Sequence, residues 1–440
     1  MAVWDELVGQ ERVGEQLAAA ARAADARVTA EARAATGSPA PADAPATGAD
    51  APAAAGAAAS GTAADPHPAE AGDLPSHSAM THAWLFTGPP GAGRATAARA
   101  FAAALQCVSP DRATAGPGCG FCDGCHTAVV GTHADVAVVA TDLLTIGVKE
   151  TRELVRRAQL APSGGRWQVI VVEDADRLTE GAGNVLLKAI EEPAARTVWL
   201  LCAPSLEDVL PTIRSRCRHL SLSTPAVAAV AAVLVQRDGI TPAVAESAAR
   251  AAQGHLDRAR RLATDDRARE RRAAVLRIPL RVEDIGGCLR AAQELVEVAA
   301  DAAKERAEET DEQETEEMRT ALGAQPGGRM PRGTAGVMKD LQERQKRRAT
   351  RSQRDSLDLA LTDLAGFYRD VLALQLGAVA DVSLLPCADV GDGLRRIAES
   401  SDAETTLRRI DAIMECRDAL ERNVAPLLAL EAMTVTLRKP

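Results

Sequence analysis

A glycine-rich segment is typical of a loop that binds phosphate, but it lacks two of that loop's chemical groups. In the pattern G-x-x-x-x-G-K-[ST], backbone N–H groups cradle phosphate, the lysine contacts the β- and γ-phosphates, and the hydroxyl binds magnesium. The chain keeps the glycines of the turn, Gly88, Gly91 and Gly93. Arg94 and Ala95 stand where lysine and a hydroxyl residue are expected. We predict a degenerate site that keeps the backbone cradle, and the sequence leaves open whether ATP binds there.

An acidic pair, Glu173 and Asp174, follows the apolar segment 169–172, at the place where an ATP-hydrolysing protein holds magnesium. Such a strand should end in Asp, which binds the metal, followed by Glu, which polarises water. Here the order is reversed, so the first carboxylate is too long for the metal position and the second too short for the base. A solvated acidic turn after a strand is the alternative.

Four cysteines downstream of the loop have the spacing C-x11-C-x2-C-x2-C. They are Cys107, Cys119, Cys122 and Cys125. In a protein of a reducing compartment, clustered cysteines are expected to bind metal rather than to form disulfides. Four thiolates make a closed tetrahedral site, so we predict structural zinc at 107–125; unpaired core cysteines are the alternative, and His126 is a possible substitute ligand. Gly118, Gly120 and Gly124 are expected to relieve the backbone of this turn.

Three arginines could contact a phosphate from outside the loop. Arg216, within Ser215-Arg216-Cys217, follows the last predicted strand. In an ATPase-shaped chain such an arginine can reach the γ-phosphate held by a neighbouring subunit, because it stays charged and binds phosphate bidentately. A surface salt bridge is the ordinary alternative. Arg258 and Arg260, at the start of a predicted helix, could contact phosphate from a lid or lie exposed.

Composition limits the class of protein. The chain has 440 residues, 46% of them hydrophobic, and a formal net charge of -10. This acidic balance disfavours a protein that coats nucleic acid with its whole surface, although it allows a local basic patch. An apolar run of about 18 residues and a secretory leader are both missing from the sequence, so we expect a cytoplasmic protein without membrane contact.

The alternation of apolar strands and helical stretches between 81 and 222 predicts an α/β fold with a parallel sheet covered on both faces. The predicted organisation is a core at 1–222 with a disordered Ala/Pro-rich insertion at 28–80, a small helical lid at 223–281, and a helical region at 282–440 that contains a charged, partly disordered insertion at 301–354. The basic part of that insertion, 339–354, could contact DNA phosphates, but pairing with its acidic part is the favoured interpretation.

Together these motifs resemble the clamp-loader family of bacterial DNA polymerase III, whose members are AAA+ proteins. The resemblance rests on the segments 4–10, 88–94, 107–125, 184–193 and 215–217. It implies an AAA+ P-loop domain with a zinc module, followed by a small helical lid domain and a C-terminal helical collar domain. The resemblance is weaker in the C-terminal helices and absent in the two insertions.

The resemblance also implies a role. It indicates a non-catalytic stator in a ring of five, with ATPase subunits and the delta subunit as partners, which loads the sliding clamp on primed DNA within the DNA polymerase III holoenzyme. Arg216 would then be an arginine finger in trans, oriented by Ser215 and Cys217. ATPase members of the family keep the lysine and hydroxyl, so Arg94 and Ala95 favour the non-catalytic role. A divergent ATPase using Arg94 and a zinc-containing DNA-binding protein remain the alternatives.

Overall fold

The structure is a computed structural model that describes residues 2–36, 80–141, 144–164, 166–321 and 335–438. The strands of this part of the chain are β1 (Ala83–Thr87), β2 (Val136–Val139), β3 (Gln168–Val172), β4 (Thr197–Ala203) and β5 (Arg218–Ser221). They form one parallel sheet in the order β2-β3-β4-β1-β5. Because β1 and β3 lie on either side of β4 and all strands run the same way, the segments that follow β1 and β3 emerge at the same edge of the sheet.

Helices cover both faces of this sheet. Those of the first half of the chain are α1 (Glu11–Thr36), α2 (Arg94–Leu105), α3 (Arg112–Ala115), α4 (Asp123–Val130), α5 (Val148–Ala158), α6 (Glu180–Glu191) and α7 (Pro211–Arg214). Side chains alternate along each strand, so Trp84 and Phe86 pack on one face with α1 and α2, whereas Leu85 packs on the other face with α5 and α6. The strands are therefore apolar on both sides, which explains why the sequence predicted them. The predicted α/β parallel-sheet class is confirmed.

The rest of the described chain is helical. Its helices are α8 (Val227–Asp238), α9 (Pro242–Ala251), α10 (Leu256–Thr264), α11 (Asp266–Arg281), α12 (Ile285–Ala321), α13 (Ala335–Gln375), α14 (Gly391–Ser400), α15 (Ala403–Glu421) and α16 (Pro426–Leu437). The first three share a small core of alanine, valine and leucine side chains. A larger core joins α11 to α16 and includes the buried aromatic pair Phe367 and Tyr368. The exact domain bounds stay a prediction.

The predicted start of the first insertion, residue 28, is corrected by the structure, because α1 continues to Thr36. Its last turns are held by Glu31, which pairs with Arg27 at 3.0 Å and with Arg196 before β4 at 2.8 Å. Val28 adds an apolar contact to the core. Alanine has the highest helix propensity, so these few contacts are enough to continue the helix. Residues 37–79 of that insertion lie outside the described residues.

The second predicted insertion, 301–354, is helical in the parts that the structure describes. Its acidic part, 301–321, continues α12, and its basic part, 335–354, begins α13. The two helices pair through charges: Arg348 contacts Asp311 and, at 2.7 Å, Glu314. The favoured interpretation, in which acidic and basic parts pair, is confirmed for Arg348. Residues 322–334 lie outside the described part.

A buried charged cluster joins three helices of the helical half. Asp363 of α13 is 3% exposed, and its carboxylate accepts a hydrogen bond from Arg258 of α10. Arg272 of α11 lies 3.4 Å from the same carboxylate and pairs with Asp389 at 2.7 Å. Because a buried charge without a partner is costly, this cluster ties the three helices to one another.

Replacing Asp363 by alanine leaves two buried guanidinium groups without their shared carboxylate. We expect the free energy of unfolding to fall by about 3–5 kcal/mol. The measurement is urea denaturation followed by circular dichroism. The control is Asp392→Ala, since Asp392 is 96% exposed and pairs only at the surface with Arg395, and it should cost less than about 1 kcal/mol. Equal losses in the two variants would contradict the energetic role of the cluster.

Candidate functional site

The phosphate-type loop connects β1 to α2 in a shape that only glycine allows. Gly88, Gly91 and Gly93 have φ angles of 153°, 84° and 86°, a region that residues with a Cβ rarely adopt. Neighbours also exclude side chains, since a Cβ on Gly91 would lie 2.6 Å from the side chain of His255. The backbone turn predicted from the sequence is therefore present, and it packs directly against the start of α10.

Arg94, in the position of the missing lysine, points back into the loop. Its guanidinium Nη1 donates a hydrogen bond to the carbonyl of Gly88. Burial lowers the pKa of Arg94, an effect opposed by nearby Cys202 and Asp176. A donor that a lysine would offer to phosphate is here bonded to the loop itself.

The acidic pair after β3 is bonded to arginines of the same chain. Nε of Arg99, in α2, lies 2.5 Å from Oε1 of Glu173, and this hydrogen bond raises the pKa of Arg99. Asp174 accepts a hydrogen bond from the N–H of Thr141 at 3.0 Å and pairs with Arg351 of α13 at 3.3 Å. The carboxylates that would serve magnesium and water in an ATPase therefore face cations.

Neither Arg99 nor Arg351 is predicted from the sequence as a partner of the acidic pair. Arg99 lies on α2 five residues after Arg94, and no motif marks it. Arg351 lies within the basic block, whose side chains the sequence leaves open between DNA contact and charge pairing. Only the tertiary structure, which brings residues 174 and 351 together, identifies the partner.

A cleft of about 250 Å³ borders the loop. Its walls come from the N-terminal segment, the loop, the first turn of α2, Glu173 and the start of α10. Gln10 connects two of these walls, because its side-chain amide donates to the carbonyls of Ala92 and Ser223. Thr96 and Arg260 also line the cleft, so a hydroxyl and a cation are near the loop. The cleft is smaller than the roughly 300–1,000 Å³ usual for ligand pockets.

Arg258 and Arg260, the two arginines of the predicted lid, lie in different environments. Arg258 lies in the buried cluster with Asp363, so it does not face the loop. Arg260 lines the cleft, where its Nε is 2.7 Å from Oδ2 of Asp238. Of the two sequence candidates for a phosphate contact, the structure brings only Arg260 to the loop.

The four cysteines converge as the spacing predicted. The Sγ atoms of Cys107, Cys119, Cys122 and Cys125 all lie within 4.8 Å of one another. Three of the pairs are separated by 3.9–4.0 Å, close to the roughly 3.8 Å that tetrahedral coordination with Zn–S bonds of about 2.3 Å requires. These distances are far longer than a disulfide bond. The donor set and its geometry fit zinc.

The surrounding backbone supports this cluster. The N–H groups of Val108 and Cys125 lie 3.4 and 3.5 Å from Sγ of Cys122, where they stabilise thiolate charge. The proximity of the Cys125 thiol lowers the pKa of Cys107, and the same interaction raises the pKa of Cys125. Gly124 has a different role from the one expected: it lies in α4, and a Cβ there would be 2.0 Å from the carbonyl of Gln106.

Arg216 lies at an exposed edge of the core, between α7 and β5. Its Nη1 donates to the carbonyl of Thr212 at 3.0 Å and to the hydroxyl of Ser215 at 3.1 Å. Its Nη2 pairs with Glu191, the last residue of α6, at 2.7 Å. Cys217 packs against the core beneath, and burial raises its pKa to about 12. Ser215 thus contacts Arg216 directly, and an orienting role for Ser215 and Cys217 stays a prediction.

Residues 74–226, about a third of the chain, match the family model described as DNA polymerase III, delta subunit. This range contains the loop, the cysteine cluster, the acidic pair and the motif around Arg216. The strongest sequence signals therefore fall within one matched segment, whereas Arg260 and Arg351 lie outside it.

Curated relatives are similar over about a third of the chain. Subunit delta' of DNA polymerase III from Pseudomonas aeruginosa is 39% identical over 151 residues, which is 34% of this chain and 45% of the relative. Subunit delta' from Escherichia coli is 36% identical over 146 residues, 33% of this chain and 43% of the relative. Subunit gamma/tau from Mycobacterium tuberculosis is 39% identical over 141 residues, 32% of this chain and 24% of the relative. The chain thus matches less than half the length of each.

Among solved structures, a DNA polymerase III gamma subunit-related protein from Thermotoga maritima is similar over 81% of this chain and 93% of its own, with 14% identity and a TM-score of 0.37. Within the part of the chain that the structure describes, no helix is both long and apolar enough to cross a membrane.

The cysteine cluster predicts a metal content. Purified protein should contain about one zinc per chain, and Cys122→Ser should lose the metal and part of the fold's stability, because metal binding is coupled to folding. Atomic emission and thermal unfolding measure the two effects. Cys416→Ser is the control, since Cys416 is buried in the helical half away from the cluster and should leave the zinc content unchanged. A stable, zinc-free wild-type protein would rule out the assignment.

Proposed function

We propose that the chain is a non-catalytic stator of a replicative clamp loader, because residues 74–226 match the family model described as DNA polymerase III, delta subunit, and curated delta' subunits are 36–39% identical over about a third of the chain. In this role it binds the ring's ATPase subunits and completes a neighbour's site with Arg216. It contributes to loading the sliding clamp on primed DNA during replication in the cytoplasm. Zinc has a structural role, and the chain does not itself turn over ATP.

The observation that carries the non-catalytic part is the hydrogen bond from Arg94 to the carbonyl of Gly88. The cation that replaces lysine is committed to the loop, which leaves less donor capacity for the β- and γ-phosphates. The pairs Arg99–Glu173 and Arg351–Asp174 act in the same direction, since each cation neutralises a carboxylate that magnesium would need. Hydrolysis by this site would require all three contacts to break.

The proposed finger is supported by a difference between two arginines: Arg94 is bonded to its own loop, whereas Arg216 lies at the surface. Arg216 is 41% exposed at the edge of the core, and its contacts within the chain are those of a turn and one surface ion pair. An arginine in this state can be exchanged onto a phosphate of another subunit, where a planar guanidinium forms two parallel hydrogen bonds. A finger supplied in trans stabilises charge in the transition state that the neighbour cannot neutralise alone.

The DNA-binding alternative is less well supported. In the basic block, Arg348 is engaged with Asp311 and Glu314, and Arg351 with Asp174. These side chains stabilise the chain itself and are withdrawn from phosphate contact. We therefore assign Arg348 and Arg351 to internal pairing rather than to the primary function.

The proposal predicts the effect of removing the finger. Arg216→Ala should lower ATP turnover at the neighbouring site by on the order of a thousandfold, because the transition-state charge loses its partner. Total turnover of the assembled loader should then fall to what its other sites supply. The measurement is phosphate release by the reconstituted complex with clamp and primed DNA.

Arg214→Ala provides a matched control, since Arg214 is exposed on α7 two residues away and is not assigned to the neighbour's phosphate. It should leave turnover within about twofold of wild type, as expected for a surface charge outside the site. If Arg216→Ala and Arg214→Ala behave alike, the finger assignment is wrong.

The proposal also predicts that the isolated chain is inactive. Purified protein should release no phosphate from Mg-ATP above background, and Arg94→Ala should change nothing, because the loop's cation is already bonded to Gly88. The assay is single-turnover hydrolysis with enzyme in excess of nucleotide. Magnesium-dependent turnover that disappears in Arg94→Ala would instead favour the divergent ATPase.

A further inference from the structure

Arg216 is held from two sides, by its own turn and by a different helix. Thr212 and Ser215, from the same turn, accept hydrogen bonds from Nη1. Glu191, at the end of α6, binds Nη2 through Oε1 at 2.7 Å. The carboxylate is therefore the contact that fixes the outer end of the guanidinium from outside the motif.

The two kinds of contact differ in their effect on phosphate binding. The contacts to Thr212 and Ser215 use one nitrogen and orient the plane of the guanidinium. The contact to Glu191 occupies Nη2, which a bidentate phosphate contact would need. A phosphate that binds Arg216 in this way competes with the carboxylate for this side of the guanidinium.

The exposure of the pair makes that exchange feasible. The side chains of Arg216 and Glu191 are 41% and 39% exposed. Pairs of this kind change an equilibrium by at most about fivefold, which corresponds to about 1 kcal/mol. A nucleotide phosphate carries more negative charge than a carboxylate and can replace it.

We propose that Glu191 is a positioning residue that parks Arg216 while no neighbouring nucleotide is present and releases it when phosphate arrives. The inference rests on the proposed function, because it concerns the same arginine. The new element is that the arginine has two positions. The apparent affinity for the neighbour's nucleotide falls in proportion to the fraction of molecules in which Arg216 is bound to Glu191.

Glu191→Gln tests the proposal, since it keeps the size of the side chain and removes its charge. In the reconstituted loader, kcat/KM for ATP should rise by about two- to fivefold at low salt. The difference from wild type should shrink as salt is raised, because screening weakens the exposed ion pair in the wild-type chain. A purely structural role of Glu191 would not produce this convergence.

Two further variants isolate the contact. Glu192→Gln removes the neighbouring charge, and among the described residues no ion pair is formed by Glu192; this variant should match wild type. In the Arg216→Ala background, Glu191→Gln should have no effect, because the group that it parks is gone. The same phosphate-release assay serves for the wild type and all four variants.

The outcomes separate the two hypotheses. If Arg216→Ala lowers turnover but Glu191→Gln leaves kcat/KM unchanged or reduces it, parking is wrong and the finger assignment stands. If Arg216→Ala has no effect, the proposed function itself fails. An equal gain in Glu192→Gln would show a general effect of surface charge and would also overturn parking.

Discussion

The loop between β1 and α2 is fixed by contacts that leave no room for side chains. A Cβ on Gly88 would lie 2.4 Å from the carbonyl of Leu222, just after β5, and one on Gly91 would meet His255 at the start of α10. The loop is therefore the point where the sheet and the small helical segment touch. Because this close approach needs glycine whether or not phosphate binds, packing alone is sufficient reason for the glycines of a site that has lost its lysine.

Charge pairing also stabilises the loop and the acidic residues beside it. A site built for nucleotide concentrates carboxylates and cations, and half-buried charges are costly unless they are paired. Arg94 bonds the loop, Arg99 bonds Glu173, and Arg351 bonds Asp174. The carboxylates at this edge of the sheet are thus balanced by cations. All of these cations belong to the same chain, and one of them comes from the distant helix α13.

The sequence predicted most of the features that are local. The first four strands belong to the predicted alternation between 81 and 222, because burial makes each of them an apolar run. The strand β5 was missed because, of its residues, only Leu220 is buried, so no apolar run marks it. The four cysteines could be identified because they lie in one short stretch, with Cys107 directly after α2. The pairing of Asp174 with Arg351 could not, since 177 residues separate them along the chain and nothing in either segment indicates the other.

The buried carboxylate of Asp363 has a mechanical consequence. Swinging α10 away from α13 would pull Arg258 out of its ion pair and leave opposite charges stranded in the interior. His255, three residues before Arg258, is the residue that rests on Gly91. The short helix α10 is therefore held by two contacts: Arg258 is bound to α13, and His255 packs against the loop that follows β1. The ion pair and the steric contact both oppose movement of α10. Such movement is the kind that lets a lid open and close around nucleotide.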